Sequence, residues 1–314
     1  MENTEAMLLN ELPEEGRRSV SHAIEFFFLT RTSVIRQMKA EGRLTEANVK
    51  HLYLDIAAYL DDNFRHGGLG LDTDNGVQLN CYASSIILYL IFLRLFPAQQ
   101  DLLRFIYLRQ HLTFGIQFQE GMLYLDSVAC YRDFSRHLNG FPGIRTGGEF
   151  TVDYYVCYFN IGRDQIREGV MLRPLSLNEF ISLMRLTLSL GKRDLVAVRA
   201  LQTHLVGFPI YHAQLAALLM ATPNPNRTDI MSHLDTSIQL DSLDYYPRFL
   251  RFVMTREKSD GERMLAVLPN PQAGHLPLGL EPLIGWMNMN PPSSTVTEAI
   301  RTYLNHYISL GRGL

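Results

Sequence analysis

Cys81, His111 and Asp126 supply a thiol, an imidazole and a carboxylate, the parts of a cysteine nucleophile triad. Cys81 opens an apolar run, Asn80-Cys81-Tyr82-Ala83-Ser84-Ser85-Ile86-Ile87-Leu88-Tyr89-Leu90, that reads as the start of a helix. A helix N-terminus carries about half a positive charge, which favours thiolate over thiol. His111 begins what reads as a β-hairpin, and Asp126 sits near the end of its returning strand. Histidine can take the thiol proton, while a carboxylate fixes its tautomer and orientation. Read as structure alone, Cys81 is a small hydrophobe on a core helix, His111 a polar strand residue and Asp126 a strand-end residue bonding a turn.

The elements around these residues must bring them together. The Cys81 helix is expected to run to about Phe96, where Pro97 stops it. Leading into it, 66–76 carries glycines and aspartates and reads as a turn-rich loop. Phe105 to Leu108 and His111 to Phe118 are aliphatic and aromatic, and a Gln119-Glu120-Gly121 turn precedes Met122 to Val128. Hairpin register then decides whether His111 meets Asp126, because side chains alternate faces along a strand. A four-residue loop at Phe118 to Gly121 sets them diagonally on one face, and a loop at Gln117 to Glu120 sets them directly opposite. A three-residue turn would put them on opposite faces.

Upstream, Ser19 to Lys39 reads as one helix ended by Gly42, and Thr45 caps a second, Glu46 to Phe64. That second helix has an apolar stripe at Val49, Leu52, Ile56, Tyr59 and Leu60. Downstream, Phe150 to Phe159 reads as a third strand. From Ser176 onward the pattern is helical: Leu177 to Leu190, Arg193 to Leu205, Ala213 to Met220, Asp229 to Leu240, Asp244 to Arg256 and Thr295 to Leu310. The sequence is therefore divided into 1–165, with the N-terminal helices and the Cys81 core, and 166–314, a helical and repeat-like region.

Composition sets the outer limits. A chain of 314 residues, 46% hydrophobic and 19% charged, has room for a sizeable core. Its net charge of −3 and lack of a basic stripe argue against nucleic acid as the main partner. Three widely spaced cysteines, Cys81, Cys130 and Cys157, suggest free thiols in a reducing compartment, with the latter two as inert core thiols. No CxxC, HxxxH or HExxH occurs, so no metal site is expected. His204, His212 and His233 lie in or beside helical stretches without partners at ligand spacing. The acidic start Met1-Glu2-Asn3-Thr4-Glu5 lacks the order of a signal peptide, and the run Ile86 to Phe96 contains Arg94 and is too short for a membrane span. The expectation is a soluble, cytoplasmic protein.

Three segments together resemble the transglutaminase-like core of the papain-like group: Asn80 to Ser85, Gln110 to Ile116, and Glu120 to Ser127. The resemblance covers residues 70 to 130. That family shows a Cys heading a helix, a strand with the His, and a strand written roughly Gly-x-x-Tyr/Trp-x-x-Asp. Here the spacing is one shorter, with Gly121, Tyr124 and Asp126. Thr113 stands where an aromatic often follows the His, and Leu79-Asn80 replaces the Gly-Gln common before the Cys.

The resemblance implies an α+β protein. Its core is papain-like and of transglutaminase type, with the Cys81 helix packed on an antiparallel sheet, and a helical C-terminal region follows. It implies cysteine-dependent acyl chemistry on a protein or peptide carboxamide: hydrolysis, deamidation or amine transfer. Cys81 would attack, His111 would move the proton and Asp126 would orient His111, with the Cys81 backbone N–H and Gln78 or Asn80 as oxyanion candidates. No cofactor is required. The alternative is a catalytically inactive scaffold of the same type that binds a protein partner through its helical region, where Asp229 to Arg256 loosely resembles a TPR unit.

Overall fold

The structure is a computed structural model, and it describes residues 2–66, 70–72, 76–109, 111–126, 152, 155–156, 159–268, 280–290 and 293–309. The architecture is α+β, and the described residues fall into two compact units. One is drawn from Met1–Tyr154 and Leu172–Met184, the other from Tyr155–Met171 and Arg185–Leu314.

The first unit opens with four helices: α1 (Glu2–Asn10), α2 (Glu14–Thr30), α3 (Thr32–Glu41) and α4 (Glu46–Asn63). The single helix expected over Ser19 to Lys39 is broken at Arg31, whose ψ of 37° leaves the helical region while its N–H still bonds the Phe27 carbonyl. No Gly or Pro marks that break. Gly42 ends α3 in the left-handed conformation (φ 70°), which costs a glycine least. Thr45 caps α4 in a reciprocal box: its hydroxyl accepts from the Asn48 N–H at 3.3 Å, and the Asn48 side chain accepts from the Thr45 N–H at 2.8 Å.

Three short strands stand where a loop is expected at 66–76. They are β1 (Arg65–His66), β2 (Gly70–Asp72) and β3 (Gly76–Leu79), ordered β1-β3-β2. They lead directly into α5 (Cys81–Leu95), which is buried on all sides from Ala83 to Leu93. A helix apolar all round belongs in the interior. Its one charge, Arg94, is accommodated because Glu5 and Glu25 both pair with it, at 3.2 and 2.7 Å. Pro97 ends the helix as expected and begins a short 3-10 segment, Pro97–Leu102.

Then comes a four-stranded antiparallel sheet in the order β6-β5-β4-β7, from β4 (Leu103–Leu108), β5 (His111–Phe118), β6 (Gly121–Leu125) and β7 (Arg173–Leu175). α5 covers it: Tyr89 stacks on Phe105 at 4.7 Å between ring centres, and Phe92 meets Phe114 at 5.3 Å. Each such aromatic pair adds about 0.5–1.5 kcal/mol beyond area burial. Phe118 pairs with Gly121 around a two-residue turn, where Gly121 takes a φ of 143° that strains other residues.

The second unit is helical. Helices Pro209–Met220 and Arg227–Leu240 are tied by the Ser237 hydroxyl, which donates to the Pro209 carbonyl at 2.8 Å. Asn226, three residues ahead of Asp229, caps Arg227–Leu240 by accepting the Thr228 and Asp229 N–H groups. Asp244 caps Tyr245–Thr255. Trp286, from Glu281–Met289, packs edge-on to Phe249 and Phe252. Two expectations fail here. Described residues Val152, Tyr155 and Val156 are helical where a strand is expected over Phe150 to Phe159. The division is also not one cut near 165, because β7 returns to pair with β4.

Candidate active site

Cys81 is the first residue of α5, and it is half-buried. Asn80 precedes it in extended conformation, and its side-chain oxygen accepts the Ala83 N–H at 3.0 Å. That bond commits the Asn80 side-chain carbonyl to the helix, whose first-turn N–H groups point toward its N-terminal end, where Cys81 sits. Gln78 lies in β3, with its backbone paired to Arg65 and Gly70; its side chain lies outside the described residues, as do Cys130 and Cys157.

His111 begins β5 and Asp126 follows β6 by one residue. The register with Phe118 opposite Gly121 sets them on one face, two positions out of direct opposition. The His111 ring is 7% exposed and the Asp126 carboxylate essentially buried, with His111 Nε2 and Asp126 Oδ2 3.2 Å apart. Burial alone would push the imidazole pKa down. The Asp126 charge and hydrogen bond, joined by a hydrogen bond and charge from Cys81, raise it instead to about 10. Near neutral pH the ring is therefore an imidazolium, and its Nε2–H donates to Asp126. Cys81, His111 and Asp126 are thus linked in sequence by direct contacts.

Two supporting residues escape sequence inspection. The Tyr53 hydroxyl, from α4, donates to the Asp126 carbonyl at 2.8 Å. Thr113, fully buried, donates to the Leu125 carbonyl at the same distance. Tyr53 does lie on the helix face of Val49, Ile56 and Leu60, so its burial was legible, whereas its partner was not. The Ser85 hydroxyl ties α5 to β5 through the Leu112 carbonyl at 3.4 Å.

A second cluster also went unforeseen. His212 Nδ1 and His233 Nδ1 lie 3.0 Å apart, and His212 Nε2 bonds the Val206 carbonyl at 2.8 Å. With Nε2–H donating to Val206, His212 Nδ1 accepts the proton of His233 Nδ1. Both rings have lowered pKa values, chiefly through burial. Among the described residues, no group of three or more His, Cys, Asp or Glu side chains is arranged to hold a metal. No helix among them is long and apolar enough to cross a membrane. Cavities of about 700 and 500 Å³ occur in the first unit, the larger beside Tyr89, Arg104 and Pro174, the smaller beside Thr45 and Met122. Neither lining includes Cys81, His111 or Asp126.

No family model matches the chain, and no curated protein matches it. Among solved structures it is similar to the crystal structure of menin that reveals the binding site for Mixed Lineage Leukemia (MLL) protein, at 10% identity and a TM-score of 0.38. That match covers 79% of this chain, which spans 62% of the menin chain.

Proposed function

We propose that the protein carries out cysteine-dependent acyl chemistry on a protein or peptide carboxamide, within a papain-like core of transglutaminase type. The observation that supports this reading is the buried His111 ring held between the Asp126 carboxylate and Cys81. The Cys81 thiolate attacks the carbonyl carbon and forms the S–C bond. His111 gives its proton to the departing nitrogen as the C–N bond breaks. A second nucleophile then yields a proton to His111 and displaces the sulfur. Water in that role gives hydrolysis or deamidation, and an amine gives transfer. Asp126 keeps the ring oriented and stabilises its charged form. The backbone N–H of Cys81 at the helix start is suited to the oxyanion. The reaction requires no cofactor, and its free thiol suits a reducing, cytoplasmic setting.

Iodoacetamide labelling near neutral pH, read cysteine by cysteine by mass spectrometry, tests the proposal. Cys81 is expected to label far faster than Cys130 or Cys157, and His111→Ala to slow it. Equal, slow labelling of all three would overturn the enzyme reading in favour of a scaffold that docks a protein partner on its helical region.

A further inference from the structure

Asp126 directly follows the last described ladder pair of β5 and β6, Phe114 with Leu125. Two hydroxyls from different elements hold the backbone there. Thr113 holds the Leu125 carbonyl, and Tyr53 holds the Asp126 carbonyl itself, each at 2.8 Å. Tyr53 is 3% exposed and Asp126 fully buried, so water cannot replace that bond at low cost. Tyr53 belongs to α4, 73 residues earlier in the chain.

We infer that Tyr53 is a positioning residue of this site: its hydroxyl pins the Asp126 backbone and so keeps the carboxylate against His111. Helix α4 is thereby part of the device that holds the imidazolium beside Cys81. The inference rests on the proposed thiol chemistry and adds to it a residue outside the nucleophile, base and carboxylate.

α4 provides its own control. Tyr59, two turns further along, is also buried and donates its hydroxyl to a backbone carbonyl, that of Ala23, at 2.7 Å. Tyr53→Phe and Tyr59→Phe each keep the ring in the core and delete one such bond. Their losses of stability should be alike, so stability does not separate positioning from structure.

The deciding measurement is the titration of the His111 imidazole, followed by NMR on histidine-labelled protein and assigned with His111→Gln. Tyr53→Phe is expected to lower the His111 midpoint by about half to one pH unit, the equivalent of one neutral hydrogen bond. Because the ring stays protonated at neutral pH over that change, Cys81 alkylation there is expected to keep its rate, and only the alkaline transition of its pH profile to move down by the same roughly half to one unit. Tyr59→Phe is expected to alter neither. An unchanged His111 midpoint in folded Tyr53→Phe, or an equal shift in Tyr59→Phe, would overturn the inference. Failure of the underlying reading registers separately, as slow Cys81 alkylation in the unsubstituted protein.

Discussion

His111 in the first unit and the His212–His233 pair in the second are all largely withdrawn from solvent, yet they end in opposite charge states. Burial pushes all three downward in pKa. At His111 a carboxylate 3.2 Å away and essentially buried, together with Cys81, reverses that push. At His233 the nearest carboxylate, Asp229, is 3.6 Å away, 35% exposed and shared with Arg199. Its attraction is too diluted to win. His212 bonds a carbonyl and another imidazole, neither of which supplies a countercharge. Enclosure of the countercharge, more than enclosure of the ring, decides whether a buried histidine is charged.

The harshest way to break this contrast is Asp126→Ala, which leaves a buried ring without its partner. The expected cost is roughly 3–5 kcal/mol of stability in urea unfolding. The His111 midpoint should fall from about 10 to the acid side of its ordinary value, making the first site resemble the second. A midpoint that stayed near 10 would mean that Asp126 is not the cause.

Stability against pH reads both sites at once. His111 has a folded pKa raised above the unfolded value of about 6.5, so its contribution is complete below that pH and lost as pH rises toward about 10. His212 and His233 have lowered folded values, so the unfolded chain protonates first and stability falls as pH drops below about 6.5. Each group contributes a slope of at most about 1.4 kcal/mol per pH unit. Urea midpoints from pH 5 to 10 should pass through a maximum near 6.5–7, and His111→Gln should flatten the alkaline side. A smaller effect is expected from His233→Phe, which strands His212 Nδ1 at a cost of about 1–3 kcal/mol. It should also shallow the acid side of the same curve.

The parts of this picture that sequence foretells are those written in local signals. An uninterrupted apolar run opened by Cys81 and stopped by Pro97 delimits α5. The apolar segments on either side of a short polar turn restrict the hairpin to a few registers, and the observed one sets His111 and Asp126 on one face. What was missed is non-local. The His212–His233 contact joins residues 21 apart on separate helices, and Tyr53 reaches Asp126 across 73 positions. Neither leaves a periodic trace. β7 is three residues long and contains Pro174, below the length at which alternation can be seen. The break at Arg31 has no breaker residue to announce it.

That three-residue strand governs how this protein can be cut. A truncation at 165 removes Arg173–Leu175 and bares the outer edge of Leu103–Leu108, whose sequence is Leu-Arg-Phe-Ile-Tyr-Leu. Such an apolar edge is a template for self-association, so the shortened chain should precipitate or form oligomers whatever the state of its thiol. A fragment that keeps the whole first unit, β7 included, carries the chain through Met184.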